Sequence, residues 1–251
     1  MVTLFSFELT YTQILLFSFV GLLIGMAKVG INGLGMIAVP ILAIVFGGRS
    51  STGIMLPILI MADVFGTIYY HRHAQWPHLI KLLPSAVVGV ILGTYLGQFI
   101  DDELFKNIMG IIIFTSVGIL LWLEKSKSKR VPHGRWFSIL IGVLLGLTTM
   151  IGNLAGAVMA LYLLVIHMTK NKFIGTVAWF FIIINIIKIP FHVFIWETIK
   201  WNTLLLDLTL LPVIALGAFL GIKVVERISD TGYRYFIILM TVVAALVMII
   251  Y

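Results

Sequence analysis

The chain has 251 residues and no cysteine; 61% of its residues are hydrophobic and only 11% are charged. Because soluble domains carry about a quarter charged residues, this composition excludes an ordinary soluble enzyme, a disordered protein and a disulfide-stabilised secreted module. The net charge of +7 fits basic loops that orient a membrane protein, so it does not by itself indicate nucleic-acid binding. The first 27 residues contain no Lys or Arg, so we expect no cleavable signal peptide.

Apolar runs between charged or turn-rich breaks predict ten membrane segments in chain order. They lie near residues 11–29, 34–47, 52–70, 82–99, 105–123, 137–150, 155–168, 174–195, 204–222 and 232–250. A polar stretch that includes five basic residues divides the ten segments into two groups of five. The sequence therefore predicts a membrane half over 1–123, a basic cytoplasmic linker over 124–136 and a second membrane half over 137–251.

Two apolar stretches are too long to be single straight spans. Residues 11–47 and 137–168 contain 37 and 32 residues, which as helices would be roughly 48–55 Å long against a hydrocarbon core of about 30 Å. Each is interrupted by a Gly- and Asn-containing sequence, GMAKVGINGLG at 25–35 and GLTTMIGNLAG at 146–156. We expect each stretch to break there, as a hairpin across the bilayer or as a re-entrant pair.

The distribution of Lys and Arg predicts the orientation. If both long stretches fold back and the linker is cytoplasmic, twelve basic residues lie inside and three outside. If each stretch crossed only once, the count would be eight to seven. The positive-inside rule favours the first arrangement, which places both termini outside the cell membrane.

The same residue types recur in the two halves of the chain, in the same order and at similar spacing. The pairs are Gly21 and Gly25 with Gly142 and Gly146, Asn32 and Gly35 with Asn153 and Gly156, Gly53 with Gly175, Asp63 with Asn185, and LGTYLG (92–97) with LGAFLG (216–221). Each half crosses an odd number of times, so the halves would have opposite orientations. The predicted fold is an all-α polytopic membrane protein with two inverted-topology repeats of five segments each, an arrangement common among secondary transporters.

These halves resemble a known family. Each opens with a Gly/Asn-rich break and ends in a short Gly-x3-Gly helix, and in this they resemble the TauE/SafE exporters of sulfite and organosulfur anions. The resemblance covers nearly the whole chain. It implies a transporter in the cell membrane whose partner is a small inorganic or organosulfur anion.

The two breaks are the first candidate for a substrate site. Asn32 and Asn153 lie within them, where unpaired backbone N–H groups and a helix N-terminus attract an anion, and Gly33 lets the backbone approach it. Each Asn could instead only cap the following helix. Lys28 would add positive charge, or it could extend to the inner interface. Thr149, at the position matching Lys28, offers a hydroxyl donor.

A second set of candidates lies in the segment 174–195. Lys188 is seven residues from its outer end, about 10 Å deep, which predicts anion binding or an ion pair. The backbone carbonyl that Pro190 leaves free could also accept from its ammonium group. His192 lies on the same helical face and is a further candidate for the site or for a proton path.

Asp63 is the only carboxylate that the sequence places well inside a segment. A charged group there requires a partner or a function, so we expect an ion pair with Lys28 or Lys188, or a proton-coupling site. Its counterpart Asn185 cannot titrate, so any coupling would be asymmetric.

The predicted function is a secondary transporter that moves a small anion by alternating access, with proton coupling and homo-oligomer formation left open. No cofactor, no metal and no catalysis are expected. His71 and His73 have neither Cys nor carboxylate ligands beside them. Two alternatives are a membrane-embedded lipid pyrophosphate phosphatase, which would need a carboxylate cluster and a deep arginine, and a passive anion channel.

Overall fold

The computed structural model describes residues 2–31, 33–101, 135–156 and 168–250, together with isolated positions in 103–118 and 158–166. A short antiparallel hairpin, β1 (Val2–Leu4) and β2 (Phe7–Leu9), precedes the helices. The helices are α1 (Tyr11–Lys28), α2 (Leu34–Phe46), α3 (Gly48–Tyr70), α4 (Trp76–Gln98), α5 (Arg135–Gly152), α6 (Lys170–Phe194), α7 (Trp201–Leu208), α8 (Leu211–Glu226) and α9 (Asp230–Ile250). Residues 124–134 of the predicted linker and most of segment 105–123 lie outside the described residues, and the last two linker residues, 135 and 136, belong to α5.

Several helices are long and apolar enough to cross a bilayer. In the described part of the chain these are α1, α3 with the 3-10 turn that follows it, α4 and α6. Helices α7 and α8 are long and apolar enough only when taken together, and they are bent by 49° at the break between them, as a broken span or a re-entrant loop would be. The bend has a local cause, since Pro212 at the start of α8 cannot donate a backbone hydrogen bond to the preceding turn. The chain is therefore a multi-pass helical membrane protein, as its composition predicts.

The outer surface also suits a lipid environment. Large apolar side chains face outward along the helices, with Phe99, Trp136 and Phe194 each about four-fifths exposed. A soluble monomer rarely exposes this much contiguous apolar surface. The helices extend up to six residues before the predicted segments, as in α4, which starts at Trp76 rather than 82. The difference arises because polar and aromatic interfacial residues continue the helices beyond the apolar runs.

The first long stretch breaks where the sequence predicts. Helix α1 begins at a capping box, in which Thr10 and Gln13 exchange backbone and side-chain hydrogen bonds. It ends at Lys28, and α2 begins at Leu34. Between them Gly30 and Gly33 have φ values of +122° and +105°, which side-chain-bearing residues rarely adopt. With 13 residues, α2 is about 20 Å long, too short to cross a core of about 30 Å unaided.

The second long stretch breaks at its predicted position too. Helix α5 ends at Gly152, and Ala155 and Gly156 are helical again. Asn153 between them has a left-handed φ of +56°. Asn adopts this conformation more readily than most residues because its short side chain can hydrogen-bond locally.

Helices pack in three close pairs: α1 with α8, α4 with α5, and α3 with α6. Glycine allows the first two, because a Cβ on Gly25 would meet the carbonyl oxygen of Ile214 and one on Gly146 would meet that of Ala86. In the third pair, Gly53 near the start of α3 lies beside Thr198, which follows α6. Gly175 near the start of α6 lies beside Tyr70 and Ala74, at and just after the end of α3. Helices α3 and α6 are thus antiparallel and cross near their middles.

Candidate functional site

The crossing of α3 and α6 carries a buried polar cluster. Asp63 and Asn185 are both fully buried, and the Asn185 amide donates to Asp63 Oδ2 at 2.7 Å. The other carboxylate oxygen of Asp63 is 2.8 Å from Lys28 Nζ, and the side chain of Lys28 is 11% exposed. The ammonium group of Lys28 also lies 4.3 Å from the centre of the Phe181 ring, a favourable cation–π contact. The ion pair allowed by the sequence is therefore present, between Asp63 and Lys28.

Lys188 is fully buried one turn beyond Asn185 on α6, and the described groups that hydrogen-bond to it are all neutral. Its Nζ donates to the backbone oxygen of Thr149 at 2.7 Å and to Asn153 Oδ1 at 2.5 Å, and it is 3.3 Å from the Thr149 hydroxyl. These acceptors lie at the end of α5 and in the second break rather than at the carbonyl freed by Pro190. Within the described residues, no carboxylate lies within ion-pair distance of Lys188.

Lys188 fixes the orientation of the Asn153 side chain. An ammonium group only donates, so the atom that faces it must be the amide oxygen. One hydrogen of Asn153 Nδ2 points toward the backbone oxygen of Thr52, at a long 3.4 Å. Nδ2 makes no further hydrogen bond to the described residues.

A cavity of about 50 Å³ lies between the two helix breaks. The polar side chains that line it are Lys28, Thr149, Asn153 and Asn185; backbone lines it at Gly33, Gly35 and Gly156, and the apolar lining is Ala27, Met36, Met55, Leu59, Val177 and Phe181. At about 10–15 Å³ per water molecule, it has room for about three to five waters or one compact polyatomic ion.

The start of a helix reaches this cavity from each break. On one side the cavity is lined by Gly33 and Gly35 at the N-terminus of α2, and on the other by Gly156, two residues after the end of the break at Leu154. Backbone N–H groups at a helix start lack intrahelical partners and carry partial positive charge. The described lining contains no carboxylate, so the cavity presents an overall positive environment.

The structure brings most of the predicted site residues together. Lys28, Gly33, Thr149, Asn153 and Asn185 line the cavity. Asp63 and Lys188 lie immediately behind this lining, in contact with Asn185 and Asn153 respectively. Asn32 lies outside the described residues.

His192 does not join this cluster. It is fully buried one turn beyond Lys188, where its Nδ1 lies 2.9 Å from the Thr198 hydroxyl and its ring packs edge-on against Trp196 at 5.0 Å. Its Nε2 has no hydrogen-bond partner among the described residues. A role of His192 in a proton path remains a prediction.

The comparison with protein families decides the assignment. The model of the family described as sulfite exporter TauE/SafE matches residues 16–248, a range that contains both breaks and every residue around the cavity. The chain belongs to the TauE/SafE family. No curated protein and no solved structure matches it at a significant level. Membership of TauE/SafE indicates a membrane transporter of the sulfite-exporter type, and thus a small anion as substrate.

A second buried carboxylate of this TauE/SafE chain was not among the predicted site residues. Asp207 is fully buried in α7, and neither of its carboxylate oxygens has a hydrogen-bond partner among the described residues. The sequence placed only Asp63 well inside a segment and did not predict that Asp207 is buried as well. Asp207 is the fourth residue of the predicted segment 204–222, a position that suggested the interface. Helix α7 instead begins at Trp201 and packs against α3.

Proposed function

We propose that this TauE/SafE protein is a secondary transporter that moves sulfite or a compact organosulfonate across the cytoplasmic membrane by alternating access. The observation that carries this proposal is the small cavity between the two breaks. Two helix starts and the Lys28 side chain face it, and the ammonium group of Lys188 lies behind it. Helix N-termini and cations together make a favourable environment for an anion.

The bound oxoanion would receive hydrogen bonds from several directions. The free N–H of Asn153, the Thr149 hydroxyl and the backbone at Gly33 and Gly156 converge on the cavity. Lys188 holds Asn153 Oδ1, which keeps the carbonyl end of that amide away from the anion. Lys188 is thus a positioning residue as well as a source of positive charge.

Corresponding contacts in the two halves support an inverted repeat. Lys28 and Thr149 occupy matching positions at the ends of α1 and α5. The carbonyl oxygen of Lys28 packs against Gly66 on α3, and the carbonyl oxygen of Thr149 accepts from Lys188 on α6. Gly66 and Lys188 each lie three residues after the central pair, Asp63 and Asn185. We propose that the substrate is exposed alternately to the two sides as one repeat moves against the other.

The glycine contacts refine the match between the halves. Gly89 packs against Val143 as Gly217 packs against Leu22. These contacts pair Gly89 with Gly217, whereas the sequence match pairs Gly93 with Gly217. The two pairings differ by one helical turn, because Gly-x3-Gly spacing repeats every four residues and leaves the register open.

Uptake into proteoliposomes tests the proposed function. The purified protein is reconstituted, and uptake of radiolabelled sulfite and methanesulfonate is measured against concentration, with and without a pH gradient; protein-free liposomes are the control. Saturable uptake supports a transporter. Flux that rises linearly without saturation would indicate a channel, and phosphate release from a prenyl pyrophosphate would indicate a phosphatase. No transport of any small anion would overturn the proposal.

The proposed orientation places the linker in the cytoplasm and both termini outside. The chain contains no native cysteine, so single introduced cysteines report on sidedness. We expect Asn202→Cys, before α8, to react with an impermeant thiol reagent added to intact cells. Ser229→Cys, after α8, should react only after the cells are opened. The reverse pattern would overturn the orientation.

A further inference from the structure

We propose that Asp63 sets the charge of the site so that it accepts a singly charged oxoanion in preference to a doubly charged one. Sulfite in its singly protonated form, hydrogen sulfite, is a compact ion of this class. The inference rests on the proposed function and goes beyond it, because it names the ionic form of the substrate and the residue that selects it.

Three side chains determine the net charge around the cavity. Around the cavity, the ionisable groups among the described residues are Lys28, Asp63 and Lys188. Two cations and one carboxylate give a net charge of +1. Asp63 is counted as a carboxylate because it pairs with Lys28, and Lys188 is counted as an ammonium group because it donates to Thr149 and Asn153. A single anionic charge neutralises the site, whereas a second one would be buried without compensation.

Burial makes this count matter. The side chains of Asp63, Asn185 and Lys188 have no solvent exposure, so water does not compensate an excess charge. An unbalanced charge in such surroundings is costly. Without Asp63 the site would carry two positive charges and would suit a doubly charged anion instead.

The Asn185 amide gives a second reason to favour a protonated anion. Because the Asp63 carboxylate only accepts hydrogen bonds, the atom facing it is Nδ2, which directs Oδ1 of Asn185 elsewhere. This oxygen is buried without a hydrogen-bond partner among the described residues, and Asn185 lines the cavity. A fully deprotonated oxoanion has nothing to donate to it. An ion that keeps one proton can satisfy this acceptor.

Two probes separate charge from shape. Sulfate and methanesulfonate are tetrahedral about sulfur and nearly equal in size, but near neutral pH the first is doubly charged and the second singly charged. We expect the wild-type protein in proteoliposomes to favour methanesulfonate over sulfate in kcat/KM. In Asp63→Asn, the ratio of the two values should shift toward sulfate by roughly tenfold to a hundredfold, the size expected for one uncompensated charge at close range.

A double variant supplies the matched control. Lys28→Gln with Asp63→Asn removes one positive and one negative charge, so the net charge returns to +1. We expect its preference to return to methanesulfonate, although both side chains differ from wild type. An unchanged ratio in Asp63→Asn would overturn the inference. So would a double variant that keeps the preference of Asp63→Asn, since the shift would then come from shape.

The pH dependence provides an independent arm. As the pH falls through neutrality, the sulfite dianion takes up one proton and becomes singly charged hydrogen sulfite. Methanesulfonate keeps its single charge over the same range. Uptake at a fixed total sulfite concentration should rise in proportion to the singly charged fraction. Uptake of methanesulfonate serves as the control for titration of the protein, including His192. Sulfite uptake that follows the doubly charged fraction would overturn the inference while leaving an anion transporter intact. Absence of all anion uptake would instead contradict the proposed function.

Discussion

Asp63 and Asn185 hydrogen-bond to each other where α3 and α6 cross, and each is the sixteenth residue of its helix. The two helices are antiparallel, so in the proposed inverted repeat these residues would mark the point about which the two halves correspond. On one side of this point Lys28 completes the ion pair with Asp63. On the other side Lys188 is held by neutral acceptors. The two buried lysines thus differ in their partners: Lys28 pairs with a carboxylate, and Lys188 donates to neutral oxygens.

Replacing Lys28 alone should lower the free energy of unfolding, and replacing Asp63 in addition should restore most of it. Lys28→Gln leaves a buried carboxylate without its cation, which costs about 3–5 kcal/mol. Adding Asp63→Asn removes the unpaired charge, so the double variant should recover most of the lost stability. Thermal unfolding in detergent, followed by tryptophan fluorescence, measures both. If Lys28→Gln melts at the wild-type temperature, the pair does not contribute to the fold.

The sequence predicts the framework of the site better than its contacts. Glycine and asparagine at matching positions predict both breaks, because few other residues tolerate the backbone conformations found at Gly30, Gly33 and Asn153. Which lysine pairs with Asp63 could not be predicted, since that depends on how deeply α1 ends beside α3. The register of the Gly-x3-Gly helices was equally undetermined, because shifting it by one turn preserves the pattern.

Lys188 should matter more for transport than for stability. Lys188→Gln keeps a hydrogen-bond donor near Thr149 and Asn153 but removes the positive charge. We expect KM for the anion to rise at least about tenfold, the effect of losing one close charge in a partly screened site. Lys172→Gln, an exposed lysine at the start of the same helix, is the matched control. Normal transport by Lys188→Gln would contradict the proposed contribution of this residue.

Asn153 combines a backbone role and a side-chain role that two substitutions can separate. Asn153→Gly tolerates the φ of +56° but removes the amide, whereas Asn153→Ala removes the amide and adds strain of about 1–2 kcal/mol. Both variants should lose anion affinity, and only the alanine variant should melt clearly lower. Transport assays and melting curves on the same preparations make the comparison. Retained affinity in Asn153→Gly would show that the break needs only the backbone conformation.

The close helix pairs predict a packing defect at Gly25 and Gly146. A valine at either position places Cβ against a backbone carbonyl of the neighbouring helix, which cannot move aside as a side chain can. We expect Gly25→Val and Gly146→Val to aggregate or to be degraded. Gly118→Val is the control, because a Cβ there meets no atom of the described residues within 4 Å. Size-exclusion chromatography in detergent reports the outcome, and a monodisperse Gly25→Val protein would contradict the α1–α8 packing.

Asp207 tests whether a buried carboxylate outside the cavity has a structural role. It is fully buried beside Leu206 and Leu210, both of which belong to an apolar cluster, and neither oxygen has a hydrogen-bond partner in the described part of the chain. Replacing such a group with an apolar residue of similar size removes the cost of burying an unpaired polar group, about 1–3 kcal/mol. We therefore expect Asp207→Leu to melt several degrees higher than wild type, with sulfite transport retained. Asp207→Asn separates charge from polarity, because it keeps a buried polar group and should gain less. A stabilised Asp207→Leu protein that no longer transports would mean that Asp207 is kept, at a cost in stability, for a step in transport.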